Sequence, residues 1–333
     1  MRGTSTGAGL VDLCGDDGLT DHGLAATLGG TRVWGMGFEI RVATPADAAG
    51  IAAVWAAALP YLVKTAKGIE AELKASKSRV VLIAVEGDSV VGYGNVYLPA
   101  ADAEAPRVRI TVHVSPAARN RGIGSALAEA ISGKAEEMGA RSLLIVVTDD
   151  EASKTFAVKR GFTIDRPLSH ARADLSLLPE PAAVPDDLRL IDYGSADPRK
   201  LWEATAAVAD GDPSGLSDAP EYDDWFATEW NHPDLRRDLS IALLDGDQVV
   251  SFVTTTADPA RKVIWSNLTG TVPAYRGRGL AKVVKSVALA RSRDAGFTDA
   301  FTGNDADNRP MLAVNRWLGY QPTASSWTAA KAL

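Results

Sequence analysis

The chain carries one set of motifs twice, and that repetition limits what it can fold into more than any other feature. Glu86-Gly87-Asp88-Ser89-Val90-Val91-Gly92 returns as Asp245-Gly246-Asp247-Gln248-Val249-Val250-Ser251, an offset of 159 (245 − 86). Arg119-Asn120-Arg121-Gly122-Ile123-Gly124 returns as Arg276-Gly277-Arg278-Gly279-Leu280-Ala281, an offset of 157 (276 − 119). Gly161-Phe162 returns as Gly319-Tyr320, an offset of 158 (319 − 161). Three motifs in one order at nearly one spacing define a duplicated unit. A chain of 333 residues has room for two such units, each with its own core.

Boundaries follow from this repeat. Residues 1–37 are rich in glycine and lack helical or strand periodicity, so they are expected to form a disordered tail, or else Met36 is the true start of translation. Lobe 1 is expected over 38–178 and lobe 2 over 188–333. Residues 179–187 form the linker, in a stretch where Pro179, Pro181 and Pro185 obstruct both helix and strand.

Within lobe 1 the elements alternate. Phe38–Ala43 reads as a strand. A helix with Pro45 at its start and Thr44 as its cap runs to about Ala58, and Ile69–Ser76 reads as a second helix. Val80–Glu86 and Val90–Leu98 read as a hairpin around Gly87-Asp88. Val108, Ile110, Val112 and Val114 alternate with Arg109, Thr111 and His113, a period of two that marks a strand. Leu127, Ala130, Ile131, Lys134 and Met138 follow helical spacing. A strand at Ser142–Val147, a helix at Glu151–Lys159 and a last strand at Arg172–Leu178 complete the unit. Lobe 2 repeats the order from Leu188. The expected fold class is α/β, a mixed sheet with helices on both faces, built twice.

The chemistry concentrates where a strand meets a helix. The N-terminus of a helix offers unpaired N–H groups and partial positive charge, which suit a phosphate. Gly122 and Gly124 permit close approach of an anion, and Arg119 and Arg121 add fixed charge. Arg276, Arg278, Gly279 and Ala281 repeat the arrangement. Each copy follows a strand, has a proline three residues earlier (Pro116, Pro273) and opens an amphipathic helix. The other reading of each copy is a tight strand-to-helix turn with solvated arginines. No Gly-Lys followed by Ser or Thr is present for a Walker loop. Leu127 and Lys282 stand where a dinucleotide fingerprint needs its third glycine.

These motifs resemble the signature of the GNAT acetyltransferase superfamily. The resemblance is carried by Val112-His113-Val114-Ser115-Pro116 with the first arginine–glycine loop. It is closer still in Thr269-Gly270-Thr271-Val272-Pro273, the second loop, and Asn308-x-x-Met311-Leu312-x-x-Asn315-x-x-Leu318-Gly319-Tyr320. The second set is similar to a common actinobacterial type, and the resemblance extends from Met36 onward. It implies two tandem acyl-CoA N-acyltransferase folds and acetyl-CoA as donor. The pyrophosphate would lie on Arg119, Asn120, Arg121, Gly122, Ile123, Gly124 and Ser125, or on Arg276, Gly277, Arg278, Gly279, Leu280 and Ala281. The pantetheine would lie in a gap between the fourth and fifth strands, against backbone at Val112, His113 and Val114 or at Thr269, Gly270 and Thr271. Asn308 and Asn315 would hold the cofactor or helix-end carbonyls, or else cap and pack.

The resemblance also implies a general acid that this chain lacks. Many members place a tyrosine four residues before the glycine of the Gly-Phe pair. That position is Ala157 in lobe 1 and Asn315 in lobe 2. The catalytic candidates are therefore Asn315 and His113, the latter a base or simply a strand histidine. Lobe 2 is expected to transfer an acetyl group to the primary amine of a small molecule. A catalytically silent acyl-CoA sensor is the alternative. Aminoacyl-tRNA-dependent ligases with paired folds of this kind form a third reading, disfavoured by the intact loops and acidic charge.

Composition narrows partners and place. A net charge of −7 argues against nucleic acid and anionic membrane. The single cysteine, Cys14, allows no internal disulfide, and no apolar run reaches membrane-spanning length, so a cytoplasmic location is expected. His22, His113, His170 and His232 lie far apart in sequence, so no metal is expected. The stretch from Trp202 to Trp230 is acidic and aromatic, with Asp210, Asp212, Asp218, Glu221, Tyr222, Asp223, Asp224, Trp225, Phe226 and Glu229. It reads as the wall of a pocket for a cationic amine or as an ordinary amphipathic helix.

Overall fold

The computed structural model describes residues 33–35, 37–75, 79–97, 107–209 and 221–333. The tail expected over 1–37 lies almost wholly outside them, as do Asp210, Asp212 and Asp218.

The first half runs β1 (Val33–Gly35), β2 (Phe38–Val42), α1 (Ala48–Ala58), α2 (Ala66–Ala75), β3 (Arg79–Glu86), β4 (Ser89–Tyr97), β5 (Arg107–Val114), α3 (Ile123–Glu137), β6 (Ser142–Thr148), α4 (Glu151–Val158) and β7 (Thr163–Asp174). The second half runs β8 (Arg189–Asp192), α5 (Pro198–Ala209), α6 (Tyr222–Trp225), β9 (Ile241–Asp245), β10 (Gln248–Asp258), β11 (Val263–Thr271), α7 (Leu280–Asp294), β12 (Asp299–Asp305), α8 (Arg309–Trp317) and β13 (Gln321–Ala332). Local chemistry explains the turns. The β3–β4 and β9–β10 hairpins pivot on Gly87 and Gly246, with φ of 56° and 55°. Before α1, the Thr44 backbone N–H and hydroxyl both donate to the Asp47 carboxylate, at 2.7 and 2.8 Å.

Alternation along β3 explains why helices cover both faces. Leu82 and Ala84 pack with Ile123, Leu127 and Ile131 of α3. Val81 and Ile83 pack with Ile51 and Val54 of α1. Gly92 and Gly94 on β4 keep that contact close, since an added Cβ would stand 2.8 Å from Leu127 and 2.9 Å from Ile131.

Two expectations need correction. The last strand of the first half begins at Thr163, nine residues before Arg172, and ends at Asp174. Its charged and proline-bearing start, Thr163-Ile164-Asp165-Arg166-Pro167, hid it from a reading by apolar alternation. Nor are there two separate sheets. One 13-stranded sheet runs β1-β2-β3-β4-β5-β6-β13-β7-β12-β11-β10-β9-β8. Strand β7 leaves its own half and pairs with β12, from Asp174↔Asp299 to Leu168↔Asp305. Strand β13 crosses the other way and pairs with β6, from Ala332↔Ser142 to Ser326↔Thr148. The halves exchange their terminal strands, and β13 and β7 lie side by side at the centre. Residues 179–187 form no helix or strand, but Ala182 N–H donates to Ser286 Oγ at 3.0 Å and Asp187 pairs with Arg278.

Candidate active site

Both arginine–glycine loops take the same backbone path. In the first, Asn120 and Gly122 have φ of 60° and 81°; in the second, Gly277 and Gly279 have φ of 81° and 74°. Alternate left-handed residues turn successive N–H groups toward one concave side. Gly122 and Gly279 are the N-caps of α3 and α7, whose first amides have no carbonyl within the helix to bond. No atom lies within 4 Å of where a Cβ would stand on Gly122, Gly277 or Gly279. The cradle is open, positive and lined by backbone donors, which suits a pyrophosphate.

The arginines are set in matching ways. Arg119 Nε donates to the Val114 carbonyl at 3.4 Å and Arg276 Nε to the Thr271 carbonyl at 3.2 Å. Their Nη groups make no hydrogen bond among the described residues. Arg121 pairs with Glu86 at 2.7 Å and Arg278 with Asp187 at 2.6 Å. Arg160 donates to Ser125 Oγ at 2.7 Å and lies 3.6 Å over the Phe156 ring, beside Gly124. In the second half Lys282 lies 3.6 Å over the Trp317 ring.

The expected gap between strands is present in each half. β5 and β6 pair only from Arg107↔Ser142 to Arg109↔Leu144 and then part. β11 and β12 pair only from Val263↔Asp299 to Ser266↔Thr302 and then part. The N–H groups of Ser115 and Val272 point the other way, to Val91 and Val250. By alternation, Val112, Val114, Thr269 and Thr271 direct theirs into the gaps. His113 and Gly270 direct theirs toward the neighbouring strands.

The gaps differ in chemistry. In the second half, Thr269 Oγ1 and Asn315 Oδ1 are buried and have no hydrogen-bond partner. Asn315 is 3% exposed, and its Nδ2 donates to Asn304 Oδ1 at 2.6 Å. Buried acceptors without donors are costly and rare, so these two atoms fit a ligand that brings the missing groups. In the first half the corresponding residues are Val112 and Ala157, both apolar. Asn308 caps α8, accepting from the Met311 N–H at 3.2 Å, so its oxygen is committed to the helix. The Asn304 partner of Asn315 was not singled out from the sequence, where it stands in a strand without periodicity to mark it.

His113 lies on the other side of its strand, its ring 4.6 Å from that of Trp55 on α1. Burial first, and then the Arg119 charge, lower its pKa to about 4. It is neutral at pH 7 and a weak base.

Each half also covers the other's sheet. The loop after α1 reaches the second half, where Arg261 holds the Pro60 and Leu62 carbonyls at 2.8 and 2.7 Å. Tyr61 stacks on His170 at 4.5 Å and approaches Trp265 at 6.3 Å. Burial pushes the Tyr61 hydroxyl up to about 12 and His170 down to about 4. The segment after α6 reaches the first half, where His232 meets Glu72 at 3.0 Å and Asp234 holds Thr65. Glu72 also pairs with Lys64 and Arg79, at 2.6 and 2.8 Å. Trp225 and Trp230 are core residues, as the plain amphipathic reading expects. The exposed Glu229 carboxyl faces the charges of Lys64, His232 and Arg109.

Paired open loops, each leading into a parted pair of parallel strands, have the geometry expected of an acyltransferase fold of the kind the motifs resemble. Comparisons with known proteins agree. Residues 52–162 match the Acetyltransferase (GNAT) family. A mycothiol acetyltransferase from a Nocardioides species is 30% identical over 226 residues, covering 63% of this chain and 76% of that one. Another, from Streptomyces avermitilis, is 28% identical over 243 residues, covering 72% and 75%. Among solved structures, a tandem GNAT protein from the clavulanic acid biosynthesis pathway superposes with a TM-score of 0.69 at 18% identity, covering 89% of this chain and 98% of that one. A GCN5-related N-acetyltransferase from Sphaerobacter thermophilus gives 0.66 at 16% identity, covering 89% and 95%. The chain belongs to the GNAT acetyltransferase family and is an acetyltransferase; members of the family draw the acetyl group from acetyl-CoA. Among the described residues no helix is long and apolar enough to cross a membrane.

Proposed function

We propose that the second half transfers an acetyl group from acetyl-CoA to the primary amine of a small molecule, by direct attack with both substrates bound. The first half binds coenzyme or serves as scaffold without turnover. One observation carries this assignment. The buried, unpartnered Thr269 Oγ1 and Asn315 Oδ1 flank the gap of the second half, where the first half has Val112 and Ala157. Acetyl-CoA supplies the activated acyl group. Gly277, Gly279 and the first amides of α7 would hold its pyrophosphate, with Arg276 and Arg278. Thr269 and Thr271 would direct backbone N–H groups at the arm and thioester, where charge grows during attack. Holding both substrates replaces a collision with a positioned attack.

The acceptor amine must be neutral to attack, which requires loss of a proton to a base or water chain. His113 belongs to the other half and is too weakly basic for that task. The wall that Tyr61, His170 and Trp265 build over the second half suits the body of a small polar acceptor. The relatives' name makes mycothiol-related amines the first acceptors to try.

The test uses acetyl-labelled acetyl-CoA with purified protein and a small-molecule extract, read by mass spectrometry. A labelled amine is the expected result. Saturable acetyl-CoA binding with no labelled product, in the extract or with mycothiol-related amines, would favour a silent acyl-CoA sensor instead.

A further inference from the structure

We propose that Lys285 is the cation that receives the coenzyme's sulfur as the thioester breaks in the second half; this rests on the reading of that half as the active one. Lys285 lies on α7, the helix that opens from the second cradle, and its side chain is buried with the residue 1% exposed. Its Nζ reaches Thr302 Oγ1 at 3.5 Å, and Thr302 Oγ1 in turn donates to the Ser266 carbonyl at 3.2 Å. Ser266↔Thr302 is the last pair before β11 and β12 part. The amine therefore stands at the root of the fork into which Thr269 and Thr271 direct their N–H groups.

An ammonium has three donors, and here one long contact uses one of them. No acid pairs with it among the described residues. The titratable or polar groups facing it are Thr302 from β12, Ser266 from β11 and Tyr320 at the entry to β13. Ser266 and Tyr320 hydroxyls bond each other at 3.2 Å, and the Tyr320 ring lies 5.2 Å from Nζ. Burial holds the Tyr320 hydroxyl above its usual range, so it stays neutral. Burial also lowers Lys285 to about 7, with no charged neighbour contributing. A lone buried amine is expensive, and packing does not call for it. The repeat places buried Ala128 at this position of α3 and Phe162 at the position of Tyr320, so an apolar filling serves the first half.

The chemistry closes the account that Asn315 leaves open, since an amide has no acid proton to give. The acceptor nitrogen bonds to the thioester carbonyl carbon. The carbon–sulfur bond breaks with its electron pair on sulfur. Sulfur takes a proton from the Lys285 ammonium, and the surplus proton on the new amide leaves to solvent, from which Lys285 is recharged.

The experiment needs no acceptor. Coenzyme A, with its free thiol, is bound to protein carrying Gly122→Glu, so that only the second cradle is occupied. Ionisation of the bound thiol is followed by thiolate ultraviolet absorbance against pH. Adding Lys285→Met should raise the midpoint by at least about one pH unit, a tenfold weaker ionisation. Thr302→Val, which frees the amine from its aim, should move it the same way by less, and serves if the lysine variant fails to fold. Equal midpoints in parent and variants, with coenzyme A bound in all, would overturn the role of Lys285. Failure of the parent to bind coenzyme A by calorimetry would overturn the reading of the second cradle, and this proposal with it.

Discussion

The two halves share a backbone and differ in what they place inside it. Their cradles have the same alternating left-handed turns, their first arginines lean on the same strand carbonyl, and their sheets part after the same kind of short parallel pairing. Yet the gap of the first half is lined by Val112 and Ala157, and that of the second by Thr269 and Asn315, with Lys285 at its root. Duplication copies a fold and leaves each copy free to keep or lose polar groups. A phosphate cradle can persist as a binding feature after the chemistry beside it has gone, so the loop alone does not identify an active half. Groups buried at an energetic cost are better markers, because stability alone would remove them.

The largest effect expected concerns the exchanged strands, which tie the comparison together. Fragments 37–183 and 184–333 should be insoluble when made separately, because β6 and β12 each lose a neighbour supplied by the other fragment. Made together, they should copurify as one species. Two soluble, folded fragments would show that each half completes its own sheet. Next in size, Asn315→Ala should lower kcat roughly tenfold while leaving acetyl-CoA affinity within about twofold, if its orphaned oxygen serves the reacting groups and not the cradle. An unchanged kcat would make Asn315 a packing residue tied to Asn304. The smallest effect is on stability. The folded pKa of Lys285 lies below that of a free lysine, so from about pH 10 down to pH 7 the unfolded chain takes up a proton the folded chain does not. The penalty grows as pH falls across that window and is constant below it. Lys285→Met should therefore raise Tm by on the order of 5 °C at pH 6–7, with the gain shrinking toward pH 10. A pH-independent change would mean that packing, and not charge burial, sets the difference.

Much of this was legible in the sequence, for identifiable reasons. The strand-to-helix loops showed because the same arginine–glycine spacing recurs in register with the repeat, each time after a strand and before an amphipathic helix, and the hairpins because Gly87 and Gly246 sit between apolar runs. Thr44 with Pro45 marked the start of the first helical segment. The strand exchange was not legible, since alternation along β7 and β13 says which faces are buried and nothing about which strand lies alongside. Lys285 escaped because a lysine in a helix reads as solvated; only its 1% exposure distinguishes it. Asn304 escaped for a similar reason, its meaning arising from a hydrogen bond across β12 and α8. His113 was legible as a residue but not as an environment, and its burial, with the Arg119 charge, keeps it neutral.

Paired glycine substitutions, read in an acetyl-transfer assay with acetyl-CoA, test most directly whether the second half alone is active. Gly279→Glu and Gly122→Glu each place a bulky anion in one cradle, at φ of 74° and 81°, where a side chain is strained. With any acceptor found in the extract, Gly279→Glu should abolish turnover and acetyl-CoA binding at the second cradle, a loss of roughly a hundredfold or more in kcat/KM, while Gly122→Glu should retain most of it. Equal losses in both variants, or loss confined to Gly122→Glu, would contradict the division of labour drawn between the halves.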